Sequence, residues 1–173
     1  MRWMHYIELQ ERKPQFMDKN NILEKEIDLI QNCISRMSQN SFNVKGWLIG
    51  LIIAVIALLP ESIDASYVCL IILITTFIFW GLDAFYLKME KLYRWKYEWV
   101  IVTRLTTTEY SYNLNPYEQG MWLPNKDKSL KKEPCLVRIM FTKTLIPFYL
   151  PIIIIALIVL FREPLTQLLC KIC

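Results

Sequence analysis

A single acidic residue interrupts an otherwise apolar stretch: Asp83, in FIFWGLDAFYL. A carboxylate in such a run is costly in hydrocarbon, so it is expected to face other helices or water and to pair with a cation. Lys45 opens the preceding apolar run; with the two runs antiparallel, it sits at a similar height. Arg36 and Asn40, one helical turn apart just upstream, could extend the pair into an interfacial charge network, or be solvated helix surface. Thr75 and Thr76 can bond their own backbone or a neighbouring helix. Two chemistries are therefore open. Asp83 with Lys45 is a structural pair or interfacial anchor, with the threonines in helix packing, or Asp83, Thr75 and Thr76 line or gate a pore.

Catalysis has little to work with. The only histidine is His5, and there is no G-x-S-x-G, phosphate-binding loop, H-E-x-x-H or dinucleotide fingerprint. Cys33, Cys69, Cys135, Cys170 and Cys173 are too scattered for a disulfide framework. The terminal C-x-x-C lacks the second pair or histidine that a zinc site needs. No enzyme, metal or cofactor is expected.

The elements that must position these residues follow from the apolar pattern. KGWLIGLIIAVIALL and YVCLIILITTFIFWGLDAFYL flank a short turn, PESIDAS, with Glu61 and Asp64. Two such runs so closely joined predict an antiparallel transmembrane hairpin, with spans at about 45–60 and 67–87. Upstream, Asn21 with Glu24 resembles a capping box. Leu23, Ile27, Ile30, Ile34 and Met37 follow at alternating steps of four and three, a coiled-coil-like seam. Downstream, Leu82, Phe85, Met89, Leu92 and Trp99 keep the same spacing, with Lys96 in the vacant seam position.

The expected architecture is thus an all-α membrane protein. An N-terminal arm (1–20) of open structure precedes a helical hairpin (21–104) with a cytosolic stalk. A cap segment (105–142) is punctuated by Pro116, Gly120, Pro124 and Pro134, and within it TTTEYSY and CLVRIMF have the character of short strands. A third transmembrane helix (143–163), with Pro147 and Pro151 near its entry, leads to an amphipathic interfacial tail (164–173) with Leu165, Leu168, Leu169 and Ile172 on one face. In this reading no signal peptide is recognisable, and the first span inserts the chain.

Charge gives the orientation. Of the 20 Lys and Arg, seven precede the first span, none lies in the turn, eleven lie between the second and third spans and two in the tail. Positive flanks stay inside, so the N-terminus and residues 88–144 are placed in the cytoplasm of a multi-pass inner-membrane protein. Lys126, Lys128, Lys131 and Lys132, interspersed with Asp127 and Glu133, suit a solvated loop near anionic headgroups. The first span, at about 14 residues, rises roughly 21 Å against about 30 Å of hydrocarbon, a mismatch relieved by thinning the bilayer or by self-association.

IQNCISRMSQNSFNVKGW followed by FWGLDAFYLKMEKLYRWKY resembles small bacterial membrane proteins of the two-span SLATT type, associated with anti-phage systems. The likeness covers about residues 24–97. It implies an effector that oligomerises and permeabilises the inner membrane when a cytosolic protein partner signals infection. Whether a nucleotide or nucleic acid carries that signal stays open. The expected function is a homo-oligomeric, pore-forming membrane effector; the alternative is an anchor or sensor that recruits a cytosolic enzyme.

Overall fold

A computed structural model of the chain describes residues 2–58, 60 and 63–162, with side chains from residue 19 onward. The 164–173 tail, Cys170, Cys173, Glu61 and the His5 side chain lie outside what is described. The elements are α1 (Arg2–Leu58), α2 (Ala65–Thr103), a 3-10 turn (Gln119–Met121), α3 (Leu136–Met140) and α4 (Ile146–Leu160). The fold is all-helical, and no strand occurs among the described residues.

Two helices are long and apolar enough to cross a membrane, Lys19–Leu58 within α1 and Ala65–Thr103, while Ile146–Leu160 is a shorter apolar helix. In their most apolar windows only 17% and 28% is buried. A core helix of a water-soluble protein hides far more, so these helices present apolar surface outward. α4 starts at Ile146 with Pro147 in its first turn, where the missing N–H costs nothing, and carries Pro151 inside.

The chain divides into two compact units, Met1–Met37 with Met89–Glu133, and Ser38–Lys88 with Pro134–Cys173. The first, polar unit is built on the heptad seam. Ile30 packs with Trp99, Val100 and Met121, flanked by Leu23, Ile27 and Ile34, and Met89, Leu92 and Trp122 close with Met37 and Trp95. Its pairings advance along α1 as they retreat along α2, with Glu26 on Arg104 and Gln31 on Tyr97.

The second, apolar unit centres on Leu48 of α1, Leu73, Trp80 and Ala84 of α2, Ile139 of α3, and Tyr149 and Ile153 of α4. Trp80 is its pivot. The ring stacks on Tyr149 at 5.6 Å and meets Phe141 edge-on at 5.3 Å, while its indole N–H donates to the Met140 carbonyl at 3.0 Å.

Three local expectations are corrected. Asn21 and Glu24 do not start a helix, because α1 already runs from Arg2. Residues 2–20 are rich in Met, Glu, Gln, Arg and Lys, whose helix propensity carries α1 through, even across Pro14. TTTEYSY folds into turns, and CLVRIMF holds the helical turn α3, capped at Cys135. A strand needs a ladder partner for its carbonyls. Those of Thr107, Glu109 and Tyr110 are taken instead by the guanidinium of Arg104.

Candidate functional site: two buried charge clusters

In the apolar unit, α2 places Asp83 one turn beyond Phe79 and Trp80, fully buried beside Ala84. Ser41 and Lys45, four residues apart on α1, present both polar groups to it from one face. The Lys45 ammonium lies 2.6 Å from Asp83 Oδ2 and donates to Ser41 Oγ at 3.0 Å. The Ser41 hydroxyl donates to Oδ1. The Tyr149 hydroxyl donates to Oδ2 at 2.9 Å, with the Phe79 carbonyl a longer alternative at 3.4 Å.

Three helices thus meet on one carboxylate, each supplying a donor or the acceptor. Tyr149 is itself fully buried and pinned by the Trp80 stack. Only Lys45 keeps a route outward, with 22% of its side chain exposed. A buried carboxylate tolerates its desolvation when its lone pairs are taken and a cation sits beside it, and both conditions hold here.

The sequence-predicted residues divide clearly. Lys45 and Asp83 come together. The places given to Arg36 and Asn40 are filled by Ser41 and Tyr149; Arg36 is exposed in the polar unit and Asn40 is half-buried. Thr76 is buried and donates to the Ile72 carbonyl of its own helix at 2.7 Å, a back-bond that satisfies its hydroxyl without a neighbour. Thr75 is half-buried. Signals for the missed pair existed. Ser41 stands one turn before Lys45, and Tyr149 carries the one hydroxyl within the third apolar run.

The polar unit holds a second cluster that sequence reading passed over. Arg104 and Glu26 are both buried. Nε and NH2 of Arg104 clasp the two Glu26 oxygens, NH2 at 3.0 Å. NH1 donates to the carbonyls of Thr107 at 3.2 Å and Glu109 at 2.6 Å, and NH2 to that of Tyr110 at 3.3 Å. All five guanidinium N–H groups are used. Glu26 also accepts the Tyr112 amide, so one ion pair gathers the whole turn.

That turn is strained, with Tyr110 and Tyr112 at φ 57° and 56°, where a side chain crowds the backbone. The turn lays the Tyr110 ring edge-on against Trp99 at 6.1 Å, with its hydroxyl end against Gly120, where a Cβ would come within 2.8 Å of the hydroxyl.

Lys96 fills its seam position almost wholly buried and donates to the Asn115 carbonyl at 2.9 Å. Burial pushes its ammonium down to about 8, against the opposing pull of Glu118 and Glu26. Burial likewise raises the Tyr93 hydroxyl. On the outside, Lys131 pairs with Glu98 at 3.0 Å and covers Trp95 at 5.0 Å, with Lys91 also over that ring at 5.5 Å. Lys126, Lys128 and Lys132 are exposed.

Among the described residues, no three His, Cys, Asp or Glu side chains gather as metal ligands would. Cys33, Cys69 and Cys135 are free thiols, the first two buried. No family model, curated protein or solved structure matches this chain.

Proposed function

We propose that the chain is a multi-pass membrane anchor or sensor of the inner membrane. In this reading α1 and α2 form a transmembrane hairpin, α4 is a third span, and the polar unit stands on the cytoplasmic side as the surface that recruits a protein partner. The membrane assignment is supported by the length of the two apolar helices and by how little of them is buried. The orientation rests on the positive-inside count. The resemblance of 24–97 to SLATT-type modules is what supports a role in anti-phage defence.

One observation favours the anchor over a conduit. Among the polar side chains of the apolar unit, Asp83, Thr76, Ser41 and Tyr149 are buried and bonded within one chain, while Thr75 is half-buried. A wet axis lined by Asp83 requires its bonds to Ser41, Lys45 and Tyr149 to break as copies assemble, and one that reaches Thr76 requires a buried hydroxyl to be uncovered. The homo-oligomeric pore remains the competing reading, supported by the short spans.

Leakage from proteoliposomes decides between them. Vesicles carrying the purified protein are expected to retain a small entrapped dye as well as protein-free vesicles do, with or without the native partner. Dye release from an oligomer, altered by Asp83→Ala, would replace the anchor with the conduit and put Asp83 on its path.

A further inference from the structure

The polar unit turns apolar side chains outward as well as inward. Trp99, Val100 and Arg104 are buried, while Ile101 and Val102 on the same turns of α2 are exposed, Val102 at 64%, with Leu105 exposed just past the helix end. A loop reaches this face. Lys131 pairs with Glu98, one turn before Val102, and so ties the segment 125–132 to α2, with Leu130 beside it in the chain at 82% exposure. Single exposed leucines are ordinary, but a set of apolar side chains edged by lysines marks an interaction surface.

The loop is braced by its own bonds. The Asn125 amide donates to the Ser129 carbonyl at 2.9 Å, the Asn125 side chain donates to Ser129 Oγ at 2.9 Å, and Lys128 takes a left-handed φ of 62° within the turn. Its acid is spent inside it, since Asp127 accepts from the Ser129 hydroxyl at 2.8 Å and the Ser129 amide at 3.3 Å. Among the described residues, Lys126, Lys128 and Lys132 are exposed and form no ion pair.

We propose that this face of the polar unit docks an acidic amphipathic helix of a protein partner, whose apolar side covers Val102, Leu105 and Leu130 while its carboxylates meet Lys126, Lys128 and Lys132. The inference rests on the anchor reading and names the surface that recruits. Charge selects the partner, because three unpaired ammonium groups beside apolar side chains repel a basic segment and attract an acidic one. Position favours protein over lipid. Ile101 lies fourteen residues beyond Leu87, where the expected span ends, about 21 Å of helical rise against roughly 5–7 Å of headgroup layer.

A synthetic helical peptide with leucines on one side and glutamates on the other is the probe, titrated by fluorescence anisotropy onto the full-length protein in phosphatidylcholine nanodiscs. It is expected to bind about tenfold more tightly than a scrambled peptide of the same composition or one with lysines in place of the glutamates. Val102→Ser and Leu130→Ser, both at exposed positions, should each weaken it several-fold at an unchanged thermal midpoint. Lys126→Glu combined with Lys128→Glu should reverse the preference toward the lysine peptide.

No binding, equal binding of the scrambled peptide or indifference to Val102→Ser overturns the inference. So does quenching of a fluorophore at Leu130 by spin-labelled phosphatidylglycerol, which would give the loop to the membrane, or a fall in oligomeric mass with Val102→Ser, which would give the face to a second copy. The two readings fail apart: dye release with the peptide preference intact sinks the anchor and keeps the face, while sealed vesicles with no preference sink only the face.

Discussion

The two buried ion pairs are built to different plans. Arg104 with Glu26 gathers backbone: three carbonyls and one amide of a single turn close on it, so the pair acts where a strand ladder would otherwise have been needed. Asp83 with Lys45 gathers helices. Its partners are side chains from α1 and α4, and it adds direction to packing that apolar contact alone leaves free to slide. The contrast teaches that a buried charge can replace secondary structure in one setting and fix helix placement in another.

The sharpest way to break the comparison is Arg104→Ala. It strands a buried carboxylate together with three carbonyls, and truncating one partner of a buried pair costs about 3–5 kcal/mol. Hydrogen exchange should show residues 105–118 losing protection while 65–88 keep it; loss in both regions at once would mean that the pair does more than hold its turn. Asp83→Ala comes next, at about 2–3 kcal/mol, below the usual cost of a broken buried pair because Lys45 already reaches outward and can swing to solvent. The thermal midpoint in detergent should fall, with protection of the 105–118 turn unchanged.

Lys96→Met sharpens the comparison through pH. Burial holds the ammonium near 8 against an ordinary 10.5, so between those values the unfolded chain binds more protons than the folded one and stability rises with pH. Below about pH 8 the slope from this group vanishes. The methionine variant should lose the rise and be the more stable protein at pH 7, as read from unfolding midpoints across pH 7–10; an unchanged slope would mean that Lys96 is not its source. Thr76→Val should be smallest, within about 0.5 kcal/mol, since its hydroxyl serves only its own helix. A larger drop, or a change in oligomeric state, would give Thr76 a role between helices.

How much of this was legible depended on whether the partners shared one periodicity. The seam from Leu23 to Met37 and its counterpart from Met89 to Trp99 were readable, because a heptad repeats its message at every turn. Lys45 opposite Asp83 was readable too, since a short turn between two apolar runs fixes which heights meet. Tyr149 was not, because no pattern within α4 states where α4 docks. Glu26 was passed over, for one acid among several on an amphipathic helix, between Glu24 and Asp28, reads as solvated surface. The turn at 106–112 was misread because β-propensity reports local preference and carries no notice of an arginine three residues earlier that claims the carbonyls.

Lys96 has a consequence for alignment. An ammonium in an apolar seam is tolerable only where an acceptor waits, and here the acceptor is one carbonyl, that of Asn115. Were α2 to slip one heptad along α1, the leucines and isoleucines would find equivalent neighbours, but the charge would not. The lysine therefore works as a key cut for one lock. It gives up stability so that a repetitive zipper can close in a single way.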